Sequence, residues 1–397
     1  MAHRSKARRH PAIDESPRMH VVHSDFPTRK SGGFTTLLEN AAQEILAVTY
    51  WFDPAPHPEP YPVTVRFTGR RVGVKGRVHA GDRFTQDETI EQVVPGSGPI
   101  SLTARVHGIN QGSWVVTANI LGFAHSARGP REQQDAVSDA GPLSPIVRLW
   151  RKWAPPAGSI EPVRTCVTPL AHVPGILPGI WAVMVTLGIV VALMLQFLVI
   201  SIDHLSLGPW LTVSLFAIVV GIIGAKLWYI VLYRREQSLN GWCIQGFITG
   251  ATLAAALLLV MLHVPAGTFL DVTAAGLLAA MAVGRVGCFF AGCCYGRPTA
   301  SGFGVWSSDQ RVGVRRIPTQ LLESAFAGLL GLVVMAAVLG HGPADGTFFI
   351  AGLAAYTLGR QGILHLRAAQ RKTRLGGQVT AALASFVLVA ALFLLAR

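Results

Sequence analysis

Hydrophobic and polar positions change their rhythm twice along the chain. From about residue 60 to 125, short runs alternate apolar and polar side chains: PVTVRF, VGVKGRV, DETIEQVV, PISLTARV and SWVVTANI, separated by Gly, Pro, Asn and Asp. Alternation within runs and turn residues between them predict a small all-β, sandwich-like soluble domain. After a polar stretch, ARGPREQQDAVSDAGPLSP, the alternation gives way to long apolar segments at about 178–200, 209–232, 243–263, 267–291, 318–339, 346–365 and 377–396. Each is near the roughly 20 residues that a helix needs to cross a bilayer. The expected architecture is a polytopic α-helical membrane protein of about seven transmembrane helices behind a soluble β domain. Its expected parts are a disordered basic tail (1–35), the β-rich domain (36–130), a linker (131–174) and the membrane domain (175–397). Small residues, as in GFITGATLAAA, allow membrane helices to approach closely.

Charge sharpens this division. Residues 1–170 hold 15 acids and 20 bases, leaving 6 acids and 14 bases for the rest of the 397-residue chain. The net charge of +13 does not point to nucleic acid, because the later bases sit in short gaps between apolar runs, beside lipid headgroups. The opening MAHRSKARRHPAIDESPRMH lacks the apolar stretch of a secretory signal. Nothing in the β domain gathers catalytic groups, so it is expected to recruit a partner that the sequence does not identify. Lys and Arg concentrate in the gaps after segments two, four and six, including Arg234, Arg235, Arg371 and Lys372, which by the positive-inside rule places those gaps in the cytoplasm.

An ionisable residue within a membrane segment is costly, by roughly 2.5–3.5 kcal/mol, and therefore a candidate for function. Here they are Lys226, Asp271, Arg285, Glu323 and Arg360. Asp271 and Arg285 lie about four turns or roughly 21 Å apart on a straight helix and cannot pair. Deep arginines need an anion, either a phosphate held by bidentate bonds or an acid, Glu323 or Asp271, from another helix. The run GRVGCFFAGCCYGRPT has four glycines, Gly284, Gly287, Gly292 and Gly296, that suit a helix end breaking into a loop beside a cavity. Cys288, Cys293 and Cys294 fall at i, i+5 and i+6, which is not a zinc spacing, and no metal or cofactor is expected. Small buried thiols, a disulfide and reactive thiols all fit these three.

These residues resemble the prolipoprotein diacylglyceryl transferase family. Its Gly-Arg-x-Gly-Asn-Phe-x-Asn-Gly-Glu-x-x-Gly-Arg pattern, preceded by an Asp, is matched in spacing by Asp271, Gly284, Arg285, Gly287, Phe289, Gly292, Gly296 and Arg297. GAKLWY resembles its Gly-Gly-Arg-Leu-x-Tyr block, with Lys226 and Tyr229. IPTQLLE resembles its His-Pro-Ser-Gln-Leu-Tyr-Glu block, keeping Pro318, Gln320 and Glu323, and Tyr356 and Arg360 repeat a Tyr-x-x-x-Arg pair. The resemblance implies transfer of a diacylglyceryl group from phosphatidylglycerol, or a related phospholipid, to the thiol of a prolipoprotein lipobox cysteine, in a bacterial-type plasma membrane. It implies that Arg285 and Arg360 stabilise the leaving phosphate. Tyr229, Asp271, Gln320, Glu323, Tyr356, Gly296 and the residues at Cys288 and Cys293 would then line the substrate site. Cys288, Ala291 and Cys293 replace two Asn and a Glu of the pattern, Leu364 replaces a Glu, and Gln245 stands where a histidine is expected. A glutamine cannot act as a general base near neutral pH. A noncatalytic lipid-binding scaffold and a membrane thiol oxidoreductase are the alternatives. The resemblance also implies a site on the exported face, opposite to the side that the positive-inside rule gives.

Overall fold

The computed structural model describes residues 45–121, 162–167, 172–232, 241–343, 345–369 and 374–396. The expected tail at 1–35, most of the expected linker, and Arg234, Arg235, Arg371 and Lys372 lie outside the described residues. The described residues divide into a β unit, within 45–52, 62–92 and 102–172, and a helical unit, within 53–61, 93–101 and 173–396.

The β unit is built from β1 (Leu46–Phe52), β2 (Tyr61–Arg71), β3 (Arg83–Val93), β4 (Ile100–Val106), β5 (Ser113–Leu121) and β6 (Val163–Cys166). One sheet runs in the order β3-β2-β5-β6, with β2 antiparallel to β5 from Thr64 opposite Leu121 to Arg71 opposite Trp114. In the other sheet β1 neighbours β4, and the Thr49 and Thr103 hydroxyls meet at 2.9 Å. Alternation does the sorting: along β2, Tyr61, Val63, Val65 and Phe67 are buried while Pro62 and Arg66 face out. One expected strand is corrected. VGVKGRV forms no strand, because Gly73 and Gly76 adopt positive φ (76° and 96°) and bend the chain beyond β2. Within the expected linker, Val163–Cys166 forms β6, which extends the sheet by pairing with β5 from Ser113 to Val116.

In the helical unit, each expected apolar segment coincides with a helix: α1 (Ile180–Ile202), α2 (Leu207–Leu232), α3 (Ile244–Met261), α4 (Ala266–Ala291), α5 (Thr319–His341), α6 (Thr347–Leu364) and α7 (Arg374–Leu395). Six of these are long and apolar enough to cross a membrane. The seventh, α6, carries Tyr356, Arg360 and Gln361, which lower its apolarity. Large apolar side chains such as Met194, Val219, Leu257 and Leu332 are exposed, as lipid-facing helices require. The interior uses small residues. A Cβ on Gly246 would sit 2.3 Å from the Gly224 carbonyl oxygen, and one on Gly276 would sit 2.6 Å from that of Ala192, so α2 meets α3, and α1 meets α4, at backbone contact distance. The most enclosed helix is α4, which packs on α1, α5 and α6. Val272, Leu278, Ala327, Val334, Phe348 and Tyr356 share one buried core.

Candidate active site

Three helices present chemistry at their ends. Near the C-terminal end of α4 stands Arg285, in the first turn and a half of α5 are Gln320 and Glu323, and in the last turns of α6 are Tyr356 and Arg360. The glycines expected to break α4 do so only partly. The helix runs through Gly284 and Gly287 and stops at Gly292, whose φ of 70° closes it. Gly287 is small because α1 passes there, a Cβ falling 2.7 Å from that of Met184, and Gly296 because its Cβ would meet the Ile317 carbonyl oxygen at 2.1 Å.

Glu323 is fully buried, and four donors converge on its carboxylate. Arg285 Nη2 lies 3.0 Å from Oε1, the Tyr356 hydroxyl donates to Oε1 at 2.7 Å, Arg367 Nη2 reaches Oε2 at 2.5 Å, and Arg360 Nη1 also donates to Oε1. The acid partner from another helix that the deep arginines required is thus Glu323, for both of them. Three guanidinium groups around one carboxylate leave a formal charge of +2, and Arg285 and Arg360 keep 17% and 30% of their side-chain surface exposed. Those two can therefore meet a further anion.

The loop after α4 is tied down on both sides. Gln320 Nε2 donates to the Cys293 carbonyl (2.9 Å) and Thr319 Oγ1 to that of Cys294 (3.0 Å), so these two side chains hold the loop backbone. The Arg297 N–H bonds the Leu366 carbonyl, the Ala368 N–H bonds that of Tyr295, and the Ile317 N–H bonds that of Arg297. Arg316 pairs with Asp309 at 2.8 Å and lies 4.6 Å over the Tyr295 ring. Burial lowers the Arg316 pKa from its ordinary value, with Asp309 opposing. Arg285 Nη1 also contacts the Cys294 sulfur at 3.8 Å, joining the cysteines to the arginine group. All five cysteines are free thiols.

The remaining expected residues sit elsewhere. Asp271 is buried, and its carboxylate accepts the N–H groups of Gly346 and Phe349, both at 3.0 Å. It thus caps the N-terminus of α6 from a neighbouring helix, roughly 20 Å of helix from Arg360. Tyr229 lies against Gly241, where a Cβ would fall 1.9 Å from its ring, and Lys226 stands 5.2 Å over the Trp242 ring. Exposed Gln245, in the first turn of α3, accepts from the Cys243 thiol at 2.9 Å. One participant went unrecognised in the sequence: Arg367 reads as one of several basic gap residues. Its spacing of seven from Arg360, two helical turns, was the available signal.

Residues 170–397 match the family model described as prolipoprotein diacylglyceryl transferase. The chain belongs to this family. Similar family members include phosphatidylglycerol–prolipoprotein diacylglyceryl transferase 2 of Clostridium perfringens, 33% identical over 135 residues (31% of this chain, 53% of the relative). The transferase of Dehalococcoides mccartyi strain 195 is 38% identical over 128 residues (29% and 49%). Transferase 2 of Streptomyces coelicolor is 31% identical over 190 residues (41% and 58%). In the first two of these comparisons the chain spans about half the length of the diacylglyceryl transferase it matches.

Proposed function

We propose that the chain is a multi-pass enzyme of a bacterial plasma membrane that moves the diacylglyceryl group of phosphatidylglycerol to a cysteine thiol of a prolipoprotein. The observation that carries this reading is the group of three arginines on one buried Glu323, with Arg285 and Arg360 partly open. An excess of positive charge inside a membrane unit is suited to a lipid phosphate, which guanidinium groups bind by charge-assisted hydrogen bonds. Glu323 and Tyr356 fix the guanidinium planes before the substrate arrives, so little reorganisation is needed when charge develops. The thiol sulfur attacks the glyceryl carbon that bears the phosphate ester. A C–S bond forms as the C–O bond breaks, and the electron pair leaves on glycerol phosphate, whose new charge Arg285 and Arg360 stabilise. The thiol proton must go to a group other than Gln245.

Purified protein given phosphatidylglycerol labelled in its acyl chains and a prolipoprotein peptide tests the proposal. Label on the peptide cysteine is the expected result. No transfer, with a related transferase active in the same assay, overturns it.

A further inference from the structure

The three thiols at the end of α4 take no part in holding Glu323, yet the fold gathers them. Their sulfur atoms all lie within 4.8 Å of one another. Cys288 is buried in the last turn of α4, and the left-handed turn at Gly292 brings Cys293 and Cys294 back over it. That turn admits no side chain, since a Cβ on Gly292 would fall 2.5 Å from Ile176 Cδ1 and 2.9 Å from the Ser308 carbonyl oxygen. Cys294 itself holds φ of 57°, a conformation uncommon for a residue with a side chain. With the Cys293 and Cys294 carbonyls pinned by Gln320 and Thr319, the loop displays three sulfurs at one point.

Linear spacing gave no zinc pattern because such patterns assume a regular knuckle or helix. In space the match is close. Sulfurs bound to zinc at about 2.3 Å in a tetrahedron lie about 3.8 Å apart, so small rotamer adjustments close the group on an ion. Thiolates select borderline and soft ions such as zinc over magnesium or calcium. Among the described residues no histidine or carboxylate completes the set, which leaves three ligands and an open fourth position, the pattern of catalytic rather than structural zinc sites. Three thiolates and a divalent ion carry a charge of −1, and the Arg285 guanidinium stands 3.8 Å from the Cys294 sulfur to offset it.

We propose that Cys288, Cys293 and Cys294 form a site for a zinc ion whose fourth position takes an incoming cysteine thiol. The metal site stands on the sulfur geometry; the identity of the thiol rests on the transferase reading above. A thiol on zinc loses its proton at neutral pH, which supplies the step that Gln245 cannot perform. The proton passes to water, the coordinated sulfur attacks the glyceryl carbon, the C–O bond breaks with its electrons leaving on the phosphate, and the neutral thioether, a weak ligand, dissociates. No electron is gained or lost by the ion.

The test uses full-length protein, reduced and stripped with chelator in detergent, then titrated with zinc and with cadmium as a spectroscopic probe. One equivalent of cadmium should produce a thiolate charge-transfer band, and a cysteine peptide should shift it. Zinc should protect the peptide spanning 288–294, but not Cys166, from alkylation read by mass spectrometry. Cys293→Ser and Cys294→Ser should each abolish the band. A wild-type protein with no band, or with thiols 288–294 unprotected, overturns the proposal whether or not the variants fold. Label transfer to peptide that persists with chelator and no metal leaves the transferase reading standing and removes the zinc. Cadmium binding at the three thiols without transfer does the reverse.

Discussion

Replacing Glu323 by Gln keeps the volume of the side chain and deletes the one negative charge shared by Arg285, Arg360 and Arg367. Breaking a buried ion pair typically costs about 3–5 kcal/mol, because the partner is left charged and dry. Arg285 and Arg360 retain partial exposure, so water recovers part of that cost, while Arg367, 10% exposed, recovers little. The lower end, about 3 kcal/mol, is the expected loss, roughly 150-fold in the folded-to-unfolded ratio. For a unit of this size that is a fall of roughly 6–12 °C in the midpoint of thermal unfolding, measured in detergent. The same substitution raises the local formal charge from +2 to +3. Phosphatidylglycerol added to the micelles should therefore restore more of the midpoint in Glu323→Gln than in wild type, and phosphatidylcholine should not. A fall under 2 °C, or equal recovery with both lipids, would refute the view that Glu323 is the counter-ion of an anion-binding arginine group.

Arg285→Ala should abolish label transfer from phosphatidylglycerol while leaving the protein folded, as read by thermal unfolding; undiminished transfer removes Arg285 from the site. Asp271→Ala strands two N–H groups at the start of α6 and should cost ~2 kcal/mol of stability, with phosphatidylglycerol binding per folded molecule unchanged. Gly246→Val drives side-chain atoms into the Gly224 carbonyl and should lower the unfolding midpoint by the equivalent of about 1–3 kcal/mol or more. Asp82 accepts from Asn110 Nδ2 (3.0 Å), the His79 N–H (3.0 Å) and Arg71 (2.8 Å), which hold its carboxyl below the usual 3.8. Its contribution is complete above that ordinary value and disappears as pH falls through the lower folded one; Asp82→Asn should flatten this acid limb in a fluorescence titration of unfolding.

Most helices were legible because a membrane segment needs only length and apolarity, and Arg285, Glu323 and Arg360 stood out because charge is so scarce there. Position in space was less legible. By its depth Asp271 reads equally as a substrate-site acid and as a structural helix partner, and only the packing of α4 beside α6 shows the two backbone N–H groups that it accepts. Arg367 lay just beyond α6, where a basic residue reads as a headgroup contact. The spacing i, i+5 and i+6 of the cysteines matches no linear zinc pattern, since the left-handed turn at Gly292 that gathers them is a property of one backbone angle. VGVKGRV alternates like a strand, but two glycines take it out of β geometry.

The order in which the arginine group is synthesised sets a condition on how this protein enters a membrane. Glu323 follows Arg285 by roughly 40 residues, and Arg367 comes 44 positions after Glu323. At a ribosomal rate of about 5–20 residues per second, Arg285 waits roughly 2–8 s for its acid. During that interval α4 carries a charge without its Glu323 partner, at a cost below the roughly 2.5–3.5 kcal/mol of a charge at a helix centre because Arg285 stands near the helix end. The pairing of Arg285 with Glu323 therefore waits for α5, and once both helices are in place it ties α4 to α5.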